Sequence, residues 1–209
     1  MSQSTPERAE DAVDRTPVVN VPNALTVLRV LCVPLVGVLL WVDGGAAGPA
    51  RTAAAVLFIL ASLTDFVDGA LARRYGLVTT FGKIADPIAD KALIGVALVG
   101  LSLLGELAWW ITVVILVREI GVTLLRFWVI RHGVIAASRG GKAKTVAQTI
   151  AIAMYLADFP LAWWPTASAI VMGIAVALTV LTGADYVVRA LRLRRGQADG
   201  HPVSDAPRG

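Results

Sequence analysis

Four aspartates set the chemistry open to this chain. Asp65 and Asp68 stand three apart, and Asp86 and Asp90 stand four apart. On helices, both spacings put the two carboxylates on one face. The flanking residues are strongly apolar, and a bare carboxylate in such surroundings is costly. Four of them together need a cation or a water-filled cavity. Clustered carboxylate oxygens are hard ligands that suit Mg²⁺, Mn²⁺ or Ca²⁺ rather than zinc. Mg²⁺ is usually held by a few carboxylates plus substrate phosphates. Gly69, next to Asp68, leaves room for a ligand to approach the backbone. Arg73, one turn later on the same face, can fork to a diphosphate. One carboxylate can also act as general base toward a hydroxyl. The pattern predicts metal-assisted phosphate chemistry at a membrane surface. Its plain competitor is a structural network in which the four Asp residues only pair with Arg and Lys.

The elements that must carry these residues are hydrophobic helices. The chain has 209 residues, 56% of them hydrophobic, with a mean hydropathy of +0.71. That is too apolar for an ordinary soluble domain. Apolar spans fall at about 24–42, 52–73, 84–105, 108–130, 145–164 and 166–188, each near the roughly 20 residues that a bilayer requires. The expected fold is an all-α integral membrane protein of six transmembrane helices, occupying 21–190. Residues 1–20, rich in Ser, Pro and charge, read as a disordered or surface-lying tail, and 191–209 as a basic, frayed tail. The single cysteine, Cys32, sits in an apolar run and reads as packing.

Charge gives the orientation. Arg73, Arg74, Lys83, Arg131, Arg139, Lys142, Lys144, Arg189, Arg192, Arg194 and Arg195 fall in the loops after spans two and four and at the C-terminal end. The opposite loops carry only Arg51. The positive-inside rule then puts both termini and the Asp cluster on the cytoplasmic side of a multi-pass protein in the cell membrane. Trp41, Trp109, Trp110, Trp163 and Trp164 fall at the outer ends, as an interfacial belt requires.

The stretch from Asp65 to Asp90 resembles the signature of the CDP-alcohol phosphotransferases, Asp-x2-Asp-Gly-x2-Ala-Arg-x8-Gly-x3-Asp-x3-Asp, with every fixed position matched. The resemblance implies a six-helix membrane enzyme that displaces CMP from a CDP-linked donor with an alcohol acceptor, using Mg²⁺ or Mn²⁺. It implies that Asp65, Asp68, Asp86 and Asp90 bind the metal and that Asp90 is the base. It implies donor contacts from Gly69, Arg73, Asn23, Ala24, Leu25, Thr26 and Thr79, and a homodimer. Two further stretches, Val21 to Pro34 and Arg118 to Arg126 followed by Gly141 to Gln148, resemble the branch that transfers a phosphatidyl group from CDP-diacylglycerol to glycerol 3-phosphate. A branch acting on phosphatidylglycerol or inositol phosphate, as in cardiolipin synthases or phosphatidylinositol-phosphate synthases, is the alternative. No nucleic-acid partner is expected.

The residues themselves also favour a phosphorylated acceptor. Such an acceptor needs cations near the cytoplasmic mouth, and Arg118, Arg139, Lys142 and Lys144 are available there, with Arg126 nearby. Lys142 and Lys144 could instead serve topology or lipid headgroups, and Arg118 with Glu119 could be an internal ion pair. Arg29, inside the first span, either snorkels to the interface or pairs with the Asp cluster or a phosphate. A divalent-cation transporter is the reading from another class. The sequence lacks the repeated halves it would show, and Gly69 and Arg73 would go unexplained.

Overall fold

In a computed structural model, the backbone is described for residues 21–75, 80–130 and 139–198, and side chains for 23–64, 85–125 and 141–189. These residues form six helices: α1 (Val21–Asp43), α2 (Pro49–Tyr75), α3 (Thr80–Leu103), α4 (Trp109–Ile130), α5 (Arg139–Ala157) and α6 (Trp164–Ala198).

Local chemistry sets several ends. Pro49 opens α2, and Pro165 stands in the first turn of α6, where a missing N–H is no loss. After α3, Gly105 takes a φ of 76°. Its N–H donates to the Ser102 carbonyl at 3.1 Å, and that of Glu106 donates to Leu101 at 3.0 Å. These paired bonds form a Schellman cap, which needs the left-handed residue that glycine supplies at little cost.

Two boundaries differ from the expected spans. α5 begins at Arg139 rather than near 145, so Lys142 and Lys144 lie in its first turns and not in a loop. Glycines and cations hide that turn from apolar periodicity. α6 runs on to Ala198, so the tail expected at 191–209 begins as helix. Leu, Arg and Ala dominate that stretch, and all three favour helix.

α1 packs against both α2 and α3, α5 lies against α6 and α2, and α4 packs on α6. Glycines let α1 and α3 approach closely. A Cβ on Gly100 would stand 2.5 Å from Leu40 Cδ1, and one on Gly37 would stand 3.0 Å from Val96 Cγ2. Small residues at such crossings are a usual means of packing helices in lipid. Val36, Leu40, Phe58, Leu93, Leu98, Ile115 and Ile152 fill the shared core, and Cys32 packs into it as expected.

Outside that core, burial is inverted relative to a soluble bundle. Leu31, Leu63, Leu124 and Leu181 are exposed, and Trp41 is 82% exposed, while Arg29, Arg51, Lys144 and Gln148 are buried. Lipid as solvent accounts for this pattern, because ionisable groups turn inward and apolar groups outward. Among the described residues, Asn23–Asp43 and Trp164–Arg189 are long and apolar enough to cross a membrane. Trp109, Trp110 and Trp163 are exposed like Trp41. Trp164 is not. Its indole N–H donates to the Met154 carbonyl at 3.0 Å, and its ring meets Phe159 edge-on with centroids 4.7 Å apart.

Arg51, the only cation expected in the outer loops, is buried in an ion-pair triad. Its Nε donates to Asp43 Oδ2 at 3.2 Å, and its Nη2 pairs with Glu106. Asp43 Oδ1 also accepts from the Gly48 N–H at 3.0 Å. The triad ties the end of α1, the start of α2 and the turn after α3. Arg51→Leu should therefore lower the apparent unfolding midpoint in detergent, because breaking a buried pair from one side costs about 3–5 kcal/mol. Turnover at moderate temperature should survive, since Asp43 lies roughly 20 Å along α1 from Arg29. An unchanged midpoint would reduce the triad to a surface pair.

Candidate active site

The site is built where the first turns of α1 meet α2 and α3. Asn23, Thr26 and Arg29 recur at helical spacing, and all three are buried. Thr26 Oγ1 donates a hydrogen bond to Asp86 Oδ1. Arg29 Nη1 lies 3.9 Å from the same oxygen, and Arg29 Nε reaches the Ala61 carbonyl of α2 at 3.4 Å. Arg29 is 1% exposed, so it pairs with Asp86 rather than snorkelling to an interface. Ala61 is one helical turn before Asp65. One guanidinium thus spans the two helices that carry the aspartates.

Asp86 retains an open side. Its side chain is 43% exposed, although Thr26 and Arg29 hold one oxygen. Asp90, one turn on, is half-buried and lies within electrostatic reach of Arg29, Lys144 and Glu119. That coupling joins the aspartates to a second charged cluster. Glu119 Oε1 accepts from Arg118 Nη1 at 3.0 Å and pairs with Lys144 Nζ. Arg118 Nη2 donates to Thr182 Oγ1 of α6 at 3.0 Å.

The expected site residues separate under this geometry. Asn23 and Thr26 turn inward, Leu25 is half-buried, and Ala24 is exposed. Lys144 is buried beside Glu119, whereas Lys142 is exposed. The side chains of Asp65, Asp68, Gly69, Arg73, Arg126 and Arg139, and the whole of Thr79, lie outside the described residues. Among the described residues, no three His, Cys, Asp or Glu side chains converge as a metal site. The half of the expected set that is described does suit a hard cation. Asp86 and Asp90 offer carboxylate oxygens one turn apart, and Asp86 is open on one side.

Sequence reasoning left Thr182 and Gln148 without a role. Thr182 gives no signal, being a hydroxyl within an apolar run. Gln148 is fully buried one turn after Lys144, and neither amide atom has a hydrogen-bond partner among the described residues.

Comparison with known proteins decides the family. A sequence profile described as CDP-alcohol phosphatidyltransferase matches residues 19–181. The chain belongs to this family. It is similar to a protein named "Probable phosphatidylglycerophosphate synthase" from Mycobacterium tuberculosis, with 52% identity over 180 residues covering 85% of each chain. It is also similar to the CDP-diacylglycerol–glycerol-3-phosphate 3-phosphatidyltransferase of Bacillus subtilis, with 39% identity over 80% of this chain and 93% of that one. In fold it matches the apo crystal structure of the Mycobacterium tuberculosis phosphatidylinositol phosphate synthase. The TM-score is 0.58 at 19% identity, covering 87% of this chain and 93% of that one. The protein is accordingly a membrane enzyme of the CDP-alcohol phosphatidyltransferase class, and enzymes of that class generally depend on a divalent metal.

Thr26→Val keeps the shape and removes the hydroxyl that bonds Asp86. A hydrogen bond to a charged group is worth about 1.5–3 kcal/mol. The substitution should raise the Mg²⁺ concentration for half-maximal turnover by roughly tenfold or more. An unaltered Mg²⁺ titration would mean that Thr26 does not order Asp86.

Proposed function

We propose that the protein transfers the phosphatidyl group of CDP-diacylglycerol to glycerol 3-phosphate, giving phosphatidylglycerol phosphate and CMP. One observation carries the choice of acceptor: Lys144, buried in a cluster with Glu119 and Arg118, lies within electrostatic reach of Asp90. A phosphate held there would keep its hydroxyl end near the Asp cluster. The names of the relatives at 52% and 39% identity support the same substrates.

In this reading Asp65, Asp68, Asp86 and Asp90 hold Mg²⁺ or Mn²⁺. When bound, the ion neutralises charge on the donor diphosphate. Asn23, Ala24, Leu25, Thr26, Gly69, Arg73 and Thr79 contact the donor. Asp90 receives the proton of the acceptor hydroxyl. The hydroxyl oxygen bonds to the β-phosphorus while the bond to the bridging oxygen breaks, and CMP leaves with that oxygen and its electron pair. Arg118, Arg139, Lys142 and Lys144 receive the acceptor phosphate. The enzyme spans the cell membrane six times with both termini and the site on the cytoplasmic side, and it works as a homodimer.

An acceptor screen with CDP-diacylglycerol, reading CMP release, tests the substrate assignment. Glycerol 3-phosphate should support turnover, while inositol phosphate and phosphatidylglycerol should not. Preference for either of those would move the enzyme to another branch of the family. Asp90→Asn should lower kcat by about 10²–10⁴, the usual worth of a positioned base, and keep donor binding by calorimetry. Normal turnover would remove Asp90 as the base, and joint loss of donor and metal binding would make it a ligand first.

Orientation has its own check. Cys32 is buried and gives little background. In Ala46→Cys the new thiol should label from outside intact cells, and in Val78→Cys only after permeabilisation. The reverse pattern would invert the topology.

A further inference from the structure

We infer that Glu119 is a positioning residue that holds Arg118 and Lys144 as one phosphate-receiving fork, with Thr182 of α6 fixing the arginine from behind. The inference rests on the acceptor site proposed above and adds two residues to it.

Arg118 and Lys144 come from different helices, yet both bond the same Glu119 oxygen, Oε1. Lys144 is 3% exposed, so water cannot spread its charge. A buried lysine and a largely covered arginine without an anion between them would repel and splay, because Coulomb repulsion is strong where the dielectric is low. Glu119 offsets one positive charge and leaves the three-residue cluster with a net positive charge. The cluster can still attract a phosphate, and its two donors stay side by side.

α6 completes the arrangement. Thr182 Oγ1 donates to the Leu178 carbonyl at 2.7 Å, which leaves its lone pairs to accept from Arg118 Nη2. The next residue must be small. A Cβ on Gly183 would stand 3.1 Å from Arg118 Cγ and push the arginine stem aside. The guanidinium is thus set by a carboxylate on its own helix and by a hydroxyl on α6. Acceptor binding thereby depends on a helix whose sequence shows only hydropathy.

Three variants in the full-length enzyme test this, each assayed for KM against glycerol 3-phosphate and against CDP-diacylglycerol. Glu119→Gln should raise KM for glycerol 3-phosphate at least tenfold, because the fork opens. Thr182→Val, which keeps the shape at α6, should raise it three- to tenfold. In both, KM for CDP-diacylglycerol and kcat should stay near wild type, since a lost contact to an inert phosphate appears in KM. Thr182→Val carries the test alone if Glu119→Gln does not fold. Lys144→Gln is the control for the site itself. If it raises the acceptor KM while the other two variants do not, the positioning role is wrong and the acceptor site stands. If Lys144→Gln leaves the acceptor KM unchanged, the site and this inference fail together. A lower acceptor KM in Glu119→Gln would make Glu119 a competitor of phosphate and overturn the proposal.

Discussion

The structure turns on a guanidinium sealed inside an apolar bundle. Arg29 cannot reach water, so its charge must be met by protein. It meets the Ala61 carbonyl on α2 and the Asp86 carboxylate on α3. α1 thereby becomes the common partner of the two aspartate-bearing helices, and Thr26 adds a second bond to Asp86 from the same face. The contact brings together groups that would each be unstable alone in these surroundings. Asp86 gains a cation, and Arg29 gains an anion without leaving the helix packing.

The remaining buried charges are met in the same way. At the far end of α1, Arg51 joins Asp43 and Glu106 and staples the turns. Toward the other end, Glu119 gathers Arg118 and Lys144 from two helices. One triad fastens the end of α1, the start of α2 and the turn after α3. The other stands within electrostatic reach of Asp90, where substrate phosphate is proposed to bind. With these polar groups inside, the exterior is left to Leu, Val and Trp, as a membrane requires.

Much of this was legible in the sequence, for physical reasons. Hydropathy marked six helices because lipid demands long apolar segments, and the Asp65–Asp90 signature pointed to the family that the comparisons support. The first turn of α5 was missed because Arg139, the two glycines and the lysines carry no apolar period. Arg29 could be read either as a snorkelling or as a paired residue, since one sequence cannot say which way a cation near a helix start points. Thr182 was invisible, because a threonine in an apolar run has no meaning until Arg118 is seen against it. Trp164 has the same sequence signal as the exposed Trp41, Trp109, Trp110 and Trp163, and its partial burial, with its bond to Met154, is seen only in the fold.

The central claim is that α1 holds the α3 carboxylate ready for a cation shared with α2. Mn²⁺ binding to the purified enzyme in the presence of CDP-diacylglycerol, followed by electron paramagnetic resonance, tests it most directly. The account predicts a saturable bound-Mn²⁺ signal in wild type, its loss in Asp86→Asn, and marked weakening when Arg29 is replaced by Met. Bound Mn²⁺ of wild-type affinity in Asp86→Asn would contradict it.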